Sequence, residues 1–224
     1  SGMDLLNPYA WNLASTPYED SNPKFPEAEK VNDIAYGKNR ALLAWYTVDG
    51  IFTRKSSSSR PRHLTNDDLS NHYTRGVSYK EIFPNKELGT NDNTTLPVLN
   101  LAFYPNERGP YNLDAENVNS DGTLGNPEKR WGGVMRKIEP SDLESANYEY
   151  IEFWLLDPYL EDETAEGGDL YFNLGEISED ILKDERKFFE NGMPVDGDMS
   201  KVDTTVWGKV PRTQSTGCLL YTSD

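Results

Sequence analysis

The second half of the chain is patterned as short β-strands. In residues 98–104, Leu99, Leu101 and Phe103 alternate with positions of the opposite face, and the pattern ends at Pro105, as expected for a strand closed by proline. Four more segments have strand-like composition and are separated by turn residues: 133–138, 148–156, 169–174 and 205–210. Five short strands with long connections predict a mainly β domain, folded as a jelly-roll-like β-sandwich.

The strand predicted at 148–156 is apolar on both faces. A period of two places Ile151, Phe153 and Leu155 on one side,. The other side carries Tyr148, Tyr150, Trp154 and Leu156. We expect the first side to face the opposing sheet, and the aromatic side to pack under a helix, the N-terminal segment or a neighbouring domain. An uncovered aromatic face would instead suit sugar binding, so the candidate interface or ligand-face residues are Tyr148, Tyr150 and Trp154.

The N-terminal part is predicted to be irregular. Residues 7–30 cannot form one long helix, because the segment contains Pro8, Pro17, Pro23 and Pro26,. We expect a partly helical strap over the β part, held by the apolar side chains of Tyr9, Trp11, Leu13, Tyr18 and Phe25,. Residues 39–52 then carry a continuous apolar run. It predicts either a short helix through Tyr46 or a buried strand, and we favour the helix.

One amphipathic helix is predicted at 176–192. Its first turns hold Glu176, Glu179 and Asp180, its last turns are basic, and Gly192 and Pro194 close it,. An apolar stripe is formed by Ile177, Ile181 and Phe188. This stripe predicts a surface helix that lies on the sheet.

Composition divides the chain into three parts. Residues 1–95 are predicted to be the strap region, packed on the β part, and residues 96–211 the β-sandwich. Residues 212–224 form an atypical tail, because its end, TGCLLYTSD, breaks from the acidic and aromatic character before it. That end resembles the translation of a sequencing adapter, and the initial SGM resembles an expression scar. We therefore expect a fragment of a longer gene, taken from environmental DNA.

Charge and composition exclude several function classes. The 38 acidic and 22 basic residues give a net charge of -16, which repels nucleic acid and anionic lipid,. No apolar run approaches the roughly 18 residues of a membrane helix, so the chain itself is not expected to span a membrane. A single cysteine, Cys218, excludes an internal disulfide and a cysteine-based zinc site,. His63 and His72 lie in a polar region without a GxSxG motif, so we predict a non-enzyme,.

One loop resembles an EF-hand calcium site. Residues 117–128 place oxygen-bearing side chains at the ligand spacing, with Gly122 at the sixth position,. The candidate metal ligands are Asn117, Asn119, Asp121 and Glu128. Against calcium, the first position lacks a charge, and Pro127 interrupts the exit helix. The alternative is a turn on Asp121 and Gly122 between two strands.

Seven ordered motifs, spread over residues 4–214, carry a resemblance to a known family. They are DLLNPYAWNLASTPYE, GKNRALLAWYTVD, NHYTRGVSYKEIFPNKEL, LNLAFYPNERGPYNLD, NPEKRWGGVMRKIE, ANYEYIEFWLLDP and GGDLYFNLGEISEDILKDERKFFENGMP. Together they resemble the SprA (Sov) family of giant outer-membrane gliding-motility and type IX secretion proteins of Bacteroidota.

The resemblance implies a role in protein export. Proteins of the SprA family form a very large transmembrane β-barrel that passes folded cargo, with PorV-like and plug-like partner subunits. The chain would then be a non-catalytic structural and interaction domain of the cell envelope, on the periplasmic or the extracellular face of the outer membrane. Its partners would be the rest of the barrel, those subunits and secreted cargo. The alternative is a jelly-roll carbohydrate-binding module at the cell surface.

Overall fold

The fold comes from a computed structural model. It describes residues 5–18, 24–31, 33–54, 58–73, 75–90, 92–112, 114, 116–138, 147, 149–181, 183, 185, 198–205 and 209–212. Within these ranges the strands are β1 (Asn12–Leu13), β2 (Ala41–Tyr46), β3 (Asn100–Arg108), β4 (Val134–Met135), β5 (Val202–Thr204) and β6 (Lys209–Pro211). One α-helix, α1, spans Tyr79–Ile82, and short 3-10 helices occur at Pro8–Ala10, Pro26–Glu29, Ile34–Gly37, Gly50–Phe52, Asp68–Ser70, Pro127–Lys129 and Met199–Lys201.

The strands pair into three two-stranded sheets. β1 pairs antiparallel with β4, with Leu13 opposite Val134. β2 pairs with β3, and β5 pairs antiparallel with β6, with Asp203 opposite Val210. The regular structure is therefore mainly β with few helices, as the sequence predicted. The jelly-roll arrangement of these strands stays a prediction.

The apolar run at 41–46 forms a strand, so the favoured helix is wrong. The Ala41 amide donates to the Trp131 carbonyl oxygen at 2.8 Å, and Asn100 Nδ2 donates to the Tyr46 carbonyl oxygen at 3.3 Å. A continuous apolar run shows neither the helical nor the strand periodicity of apolar and polar residues, so its pairing partners decide its conformation. The predicted end of β3 at Pro105 is also wrong, because β3 continues to Arg108. A proline is compatible with an edge strand, and each strand of a two-stranded sheet has a free edge.

Three other predicted elements differ from the structure. Residues 149–156 and 169–174 form neither strand nor helix, because no neighbouring strand of the described part pairs with them. The predicted helix is absent from residues 176–181. Lys183 (φ 53°) and Glu185 (φ 60°) have left-handed backbones, which a right-handed helix excludes,. The other residues of 182–192 lie outside the described residues.

The remaining strand predictions are partly correct. The segment predicted at 133–138 contains the short strand β4. The one predicted at 205–210 overlaps the start of β6, and β5 ends just before it. Both differences concern the ends of elements, where local sequence is least informative.

The chain forms two compact units, each assembled from separated stretches. Unit 1 comprises Ser1–Ala10, Trp45–Asn100 and Lys137–Asn173, and unit 2 comprises Trp11–Ala44, Leu101–Arg136 and Leu174–Asp224. Leu69 and Val77 are buried in unit 1. The division near residue 95 that composition indicates stays a prediction.

The interior of unit 2 is built around the buried Arg40. Its guanidinium donates to the carbonyl oxygens of Ala14 (3.2 Å) and Pro110 (3.3 Å), and it lies 5.0 Å from the Trp131 ring centroid. Burial lowers the pKa of Arg40 to about 10, so it stays protonated at neutral pH. Trp131 Nε1 in turn donates to Glu27 Oε1 at 3.0 Å. A desolvated cation over a tryptophan ring contributes about 2 kcal/mol, which offsets part of the cost of burying the charge.

Part of the predicted strap lies on the β part through hydrogen bonds. β1 pairs with β4, and the Ala14 amide donates to the Gly133 carbonyl oxygen at 3.0 Å. Phe25 packs edge-on against Trp131, with ring centroids 5.7 Å apart. Tyr9 and Tyr18, however, are 94% and 63% exposed, so they are not the buried anchors that the apolar pattern predicted.

Gly109 follows β3 at a close approach of two backbones. A Cβ at this position would lie 2.6 Å from the Ala41 carbonyl carbon and would also meet its oxygen. Neither group can move without displacing β2. Glycine is therefore required here for steric reasons.

Candidate interaction surface

The aromatic segment that the sequence singled out is uncovered. Tyr150 is 79% exposed and Trp154 is 72% exposed, and Ile151, Phe153 and Leu155 are exposed as well. Within the part of the chain that the structure describes, both faces of the segment thus lack the cover that the sequence pattern predicted. Tyr148 lies outside the described residues.

Other aromatic side chains of unit 1 extend this exposed area. The rings of Phe153 and Phe172 lie 5.1 Å apart, and Phe83 meets Trp154 edge-on at 6.3 Å. Residues 151–154 line an open cavity of about 450 Å³. We call this area the aromatic surface, and its exposed members are Tyr150, Ile151, Phe153, Trp154, Leu155, Leu170, Tyr171 and Phe172. Contiguous exposed apolar areas of this kind mark interaction sites in folded proteins.

The backbone of this segment also lacks backbone partners among the residues that the structure describes. Within the described part of the chain, residues 150–156 form no backbone hydrogen bond to another backbone group. The segment is fixed just after it, where His72 Nε2 donates to the Asp157 carbonyl oxygen at 2.6 Å and the Tyr159 amide donates to Asp157 Oδ1 at 2.8 Å. Aromatic and β-branched residues favour strand conformation, so the segment presents a free row of donors and acceptors to another strand.

The charge carried by residues 149–173 has one sign. Residues 149–173 contain no lysine, arginine or histidine, and their acids are Glu149, Glu152, Asp157, Glu161, Asp162, Glu163, Glu166 and Asp169. Glu149 and Glu152 are exposed, and the ion pairs found among the described residues lie elsewhere. The surface is therefore both apolar and strongly acidic.

The candidate calcium loop has the geometry of a tight turn. Val118 bridges to Leu124, and the Asn119 amide donates to the Thr123 carbonyl oxygen at 2.8 Å. Gly122 has φ +86°, a conformation that glycine adopts without strain. The loop therefore turns on Asp121 and Gly122, as in the alternative that the sequence offered, but an isolated bridge and not a pair of strands closes it.

Two of the four candidate ligands, Asp121 and Asn117, have an oxygen that already accepts hydrogen bonds from the protein. Asp121 Oδ1 accepts from the Thr123 amide (3.0 Å) and hydroxyl (2.7 Å), and these hydrogen bonds lower the pKa of the Asp121 carboxyl. Asn117 Oδ1 accepts from Asn126 Nδ2 at 3.2 Å. Glu128 is exposed in the 3-10 helix Pro127–Lys129. Among the described residues, no group of three or more His, Cys, Asp or Glu side chains is placed to hold a metal ion.

A buried ion pair supports the base of this turn. Arg130 Nη1 lies 3.0 Å from Asp114 Oδ2, and both side chains are almost fully buried. Arg130 also donates to the carbonyl oxygens of Gly125 (2.9 Å) and Lys38 (2.6 Å). Burial raises the pKa of the Asp114 carboxyl, but hydrogen bonds from the Glu116 and Asn117 amides and from Arg130 outweigh it and lower the pKa. The pair is structural. The sequence does not indicate it, because nothing distinguishes Asp114 from the other acids among the 38 in the chain.

Comparison with known proteins gives no family for the chain. The sequence matches no protein-family model and no curated protein. Within the described part, no helix has the length and apolar character needed to cross a bilayer.

Proposed function

We propose that the chain is a non-catalytic interaction module of an outer-membrane secretion machine that resembles SprA, and that the aromatic surface is where it binds another polypeptide. The observation that carries the proposal is the uncovered segment 150–156, which exposes apolar side chains on both faces and leaves its backbone unpaired. A polypeptide partner satisfies both needs at once, because an added strand covers side chains and completes hydrogen bonds.

The sequence motifs supply the cellular setting of this proposal. Their resemblance to SprA implies the cell envelope, and the partners there would be the rest of the translocon, its PorV-like and plug-like subunits, or secreted cargo. The jelly-roll arrangement of the strands is part of the same proposal.

Carbohydrate binding is the second candidate. Exposed Tyr150 and Trp154 rings could stack on a sugar. A sugar on that side would leave Ile151, Phe153 and Leu155 in water, however, and it would leave the backbone donors unpaired. Polypeptide binding therefore accounts for more of the observed surface.

Site-specific cross-linking in cells tests the proposal. A photoreactive amino acid would replace Tyr150 or Leu155 in a full-length protein that contains this chain, and exposed Lys129 would serve as the matched control position. We expect cross-links to envelope or cargo proteins from positions 150 and 155 and not from position 129. Equal labelling from all three positions, or none from 150 and 155, would contradict the proposal.

A further inference from the structure

We infer that segment 150–156 takes up a basic, apolar β-strand of another polypeptide and excludes a second copy of its own chain. This inference rests on the proposed function and names the chemistry of the partner. Two features of the molecule carry it: the backbone of the segment, which is unpaired within the described part of the chain, and the uniform negative charge of residues 149–173.

The backbone determines the form of the partner. Residues 150–156 make no backbone hydrogen bond within the described part, and seven residues of strand span roughly 23 Å at about 3.3 Å per residue. This is the length of an ordinary strand in a sheet. An extended peptide can pair with it along its whole length, whereas a helix or a folded surface would leave the donors and acceptors unpaired.

The side chains determine the apolar part of the partner. In a paired strand, Tyr150, Trp154 and Glu152 would lie on one face, and Ile151, Phe153 and Leu155 on the other. Each face thus offers large apolar side chains, which are now exposed. Aromatic and β-branched residues at alternate positions of the partner would cover them.

The charge determines the rest of the partner's chemistry. Glu149 and Glu152 are exposed and have no hydrogen bond or ion pair within the described residues. A lysine or arginine opposite Glu152 would pair across the strands, whereas a glutamate there would be repelled. The whole of 149–173 lacks a basic residue, so no shift of register supplies this cation from the segment itself.

The same charge disfavours a second copy. Antiparallel pairing of two copies centred on Glu152 would set the two Glu152 side chains opposite each other. Pairing centred on Phe153 would set Glu149 opposite Asp157. Like charges directly opposite each other destabilise a strand pair in these two registers, and in every register the net charge of -16 adds repulsion between the whole chains,.

Peptide binding to the complete chain tests the inference. The probe is a labelled peptide in which lysine alternates with valine and tyrosine, measured by fluorescence anisotropy. One matched peptide has glutamate in place of each lysine, and another keeps lysine but is N-methylated on alternate backbone amides. We expect the lysine peptide to bind at least about tenfold more tightly than either control peptide, and its affinity to fall as salt screens the charges.

Charge-reversal variants locate the site. The double variant E149K/E152K should reduce lysine-peptide affinity about tenfold and increase affinity for the glutamate peptide. The control variant E176K/E179K changes two exposed acids outside 149–173 and should leave the preference unchanged. Circular dichroism verifies that both variants fold.

Any of four results would overturn the inference. They are an absence of peptide binding, equal binding of lysine and glutamate peptides, full binding of the N-methylated peptide, and a dimer of the chain that the lysine peptide dissociates. Failure of the proposed function is separate. If cells give no cross-link at position 150 but the chain still binds the lysine peptide more tightly than the glutamate peptide, the proposed secretion role is wrong and the strand-binding site is still supported.

Discussion

Replacing Trp154 with alanine separates a packing role from a binding role for the aromatic surface. Trp154 has the largest side chain of segment 150–156, and its only ring contact among the described residues is the edge of Phe83 at 6.3 Å. A tryptophan that held unit 1 together would be enclosed. This one is 72% exposed, so we expect its removal to affect binding far more than folding.

The size of the effect follows from the exposed fraction. A tryptophan buries at most about 250 Å² when fully enclosed, and Trp154 has little more than a quarter of its surface covered. At about 25 cal/mol per Å², the covered area of about 70 Å² corresponds to roughly 2 kcal/mol or less. Enclosed tryptophans cost about 3–5 kcal/mol when truncated to alanine. The Trp154→Ala variant should therefore lose less than about 2 kcal/mol of unfolding free energy.

Urea unfolding followed by circular dichroism measures this loss. Leu69 is the matched control in the same unit, because it is 3% exposed and its truncation should cost about 2–5 kcal/mol. The Trp154→Ala variant should also bind the lysine peptide at least about tenfold more weakly. A loss of stability equal to that of Leu69→Ala, with binding unchanged, would refute the reasoning and show that Trp154 packs inside unit 1.

Three further predictions concern unit 2. Gly109→Ala should lose about 2–4 kcal/mol of unfolding free energy in the urea assay, because its Cβ would meet the Ala41 backbone,. The control is Gly125→Ala, whose Cβ would lie 3.5 Å from its nearest neighbour, the Asn117 carbonyl oxygen. It should lose less than about 1 kcal/mol in the same assay. Asp114→Asn should cost about 3–5 kcal/mol at pH 7 by leaving Arg130 buried without its partner,. Because the pKa of Asp114 is lowered, its contribution to the free energy of unfolding is present above the ordinary carboxyl pKa and is lost as pH falls through the lowered value,. The free energy of unfolding should therefore depend less on pH in acid for the variant than for the original chain. An unchanged pH profile would contradict this. Millimolar calcium should leave the Tm unchanged because Asp121 is already hydrogen-bonded, and a calcium-dependent rise in Tm that Asp121→Asn abolishes would establish the calcium site instead.

The local sequence pattern predicted strand β3 and the turn on Asp121 and Gly122. The alternation at 98–104 indicated a strand, and β3 contains most of it. The Asp121–Gly122 pair indicated a turn, and Gly122 has the positive φ that such a turn uses,. The interactions of the turn lie within a few residues of each other, and the alternation of β3 is visible in its own sequence although its pairing partner β2 is distant.

The elements that depend on distant partners could not be predicted in the same way. Residues 41–46 could form helix or strand, and pairing with β3, more than fifty residues away, decided for strand. The role of Arg40 could not be predicted, because a buried arginine has no signal in a hydrophobic pattern. Its environment comes from Ala14, Pro110 and Trp131, which are brought together only by the fold. The segment 150–156 had the composition of a strand, but composition does not supply a partner.

Segment 150–156 is open to a partner strand and is therefore also open to aggregation, and the acids around it limit that aggregation. An unpaired, apolar segment of strand-forming residues is an aggregation hazard, and proteins protect such edges with charges, prolines or covering elements. Here Glu149, Glu152 and Asp157 flank or interrupt the segment, and the backbone between them is left open. Charges of one sign repel every copy of the same segment but attract a strand of the opposite sign. The arrangement therefore limits self-association without closing the surface, which is the combination that a selective strand-binding site requires.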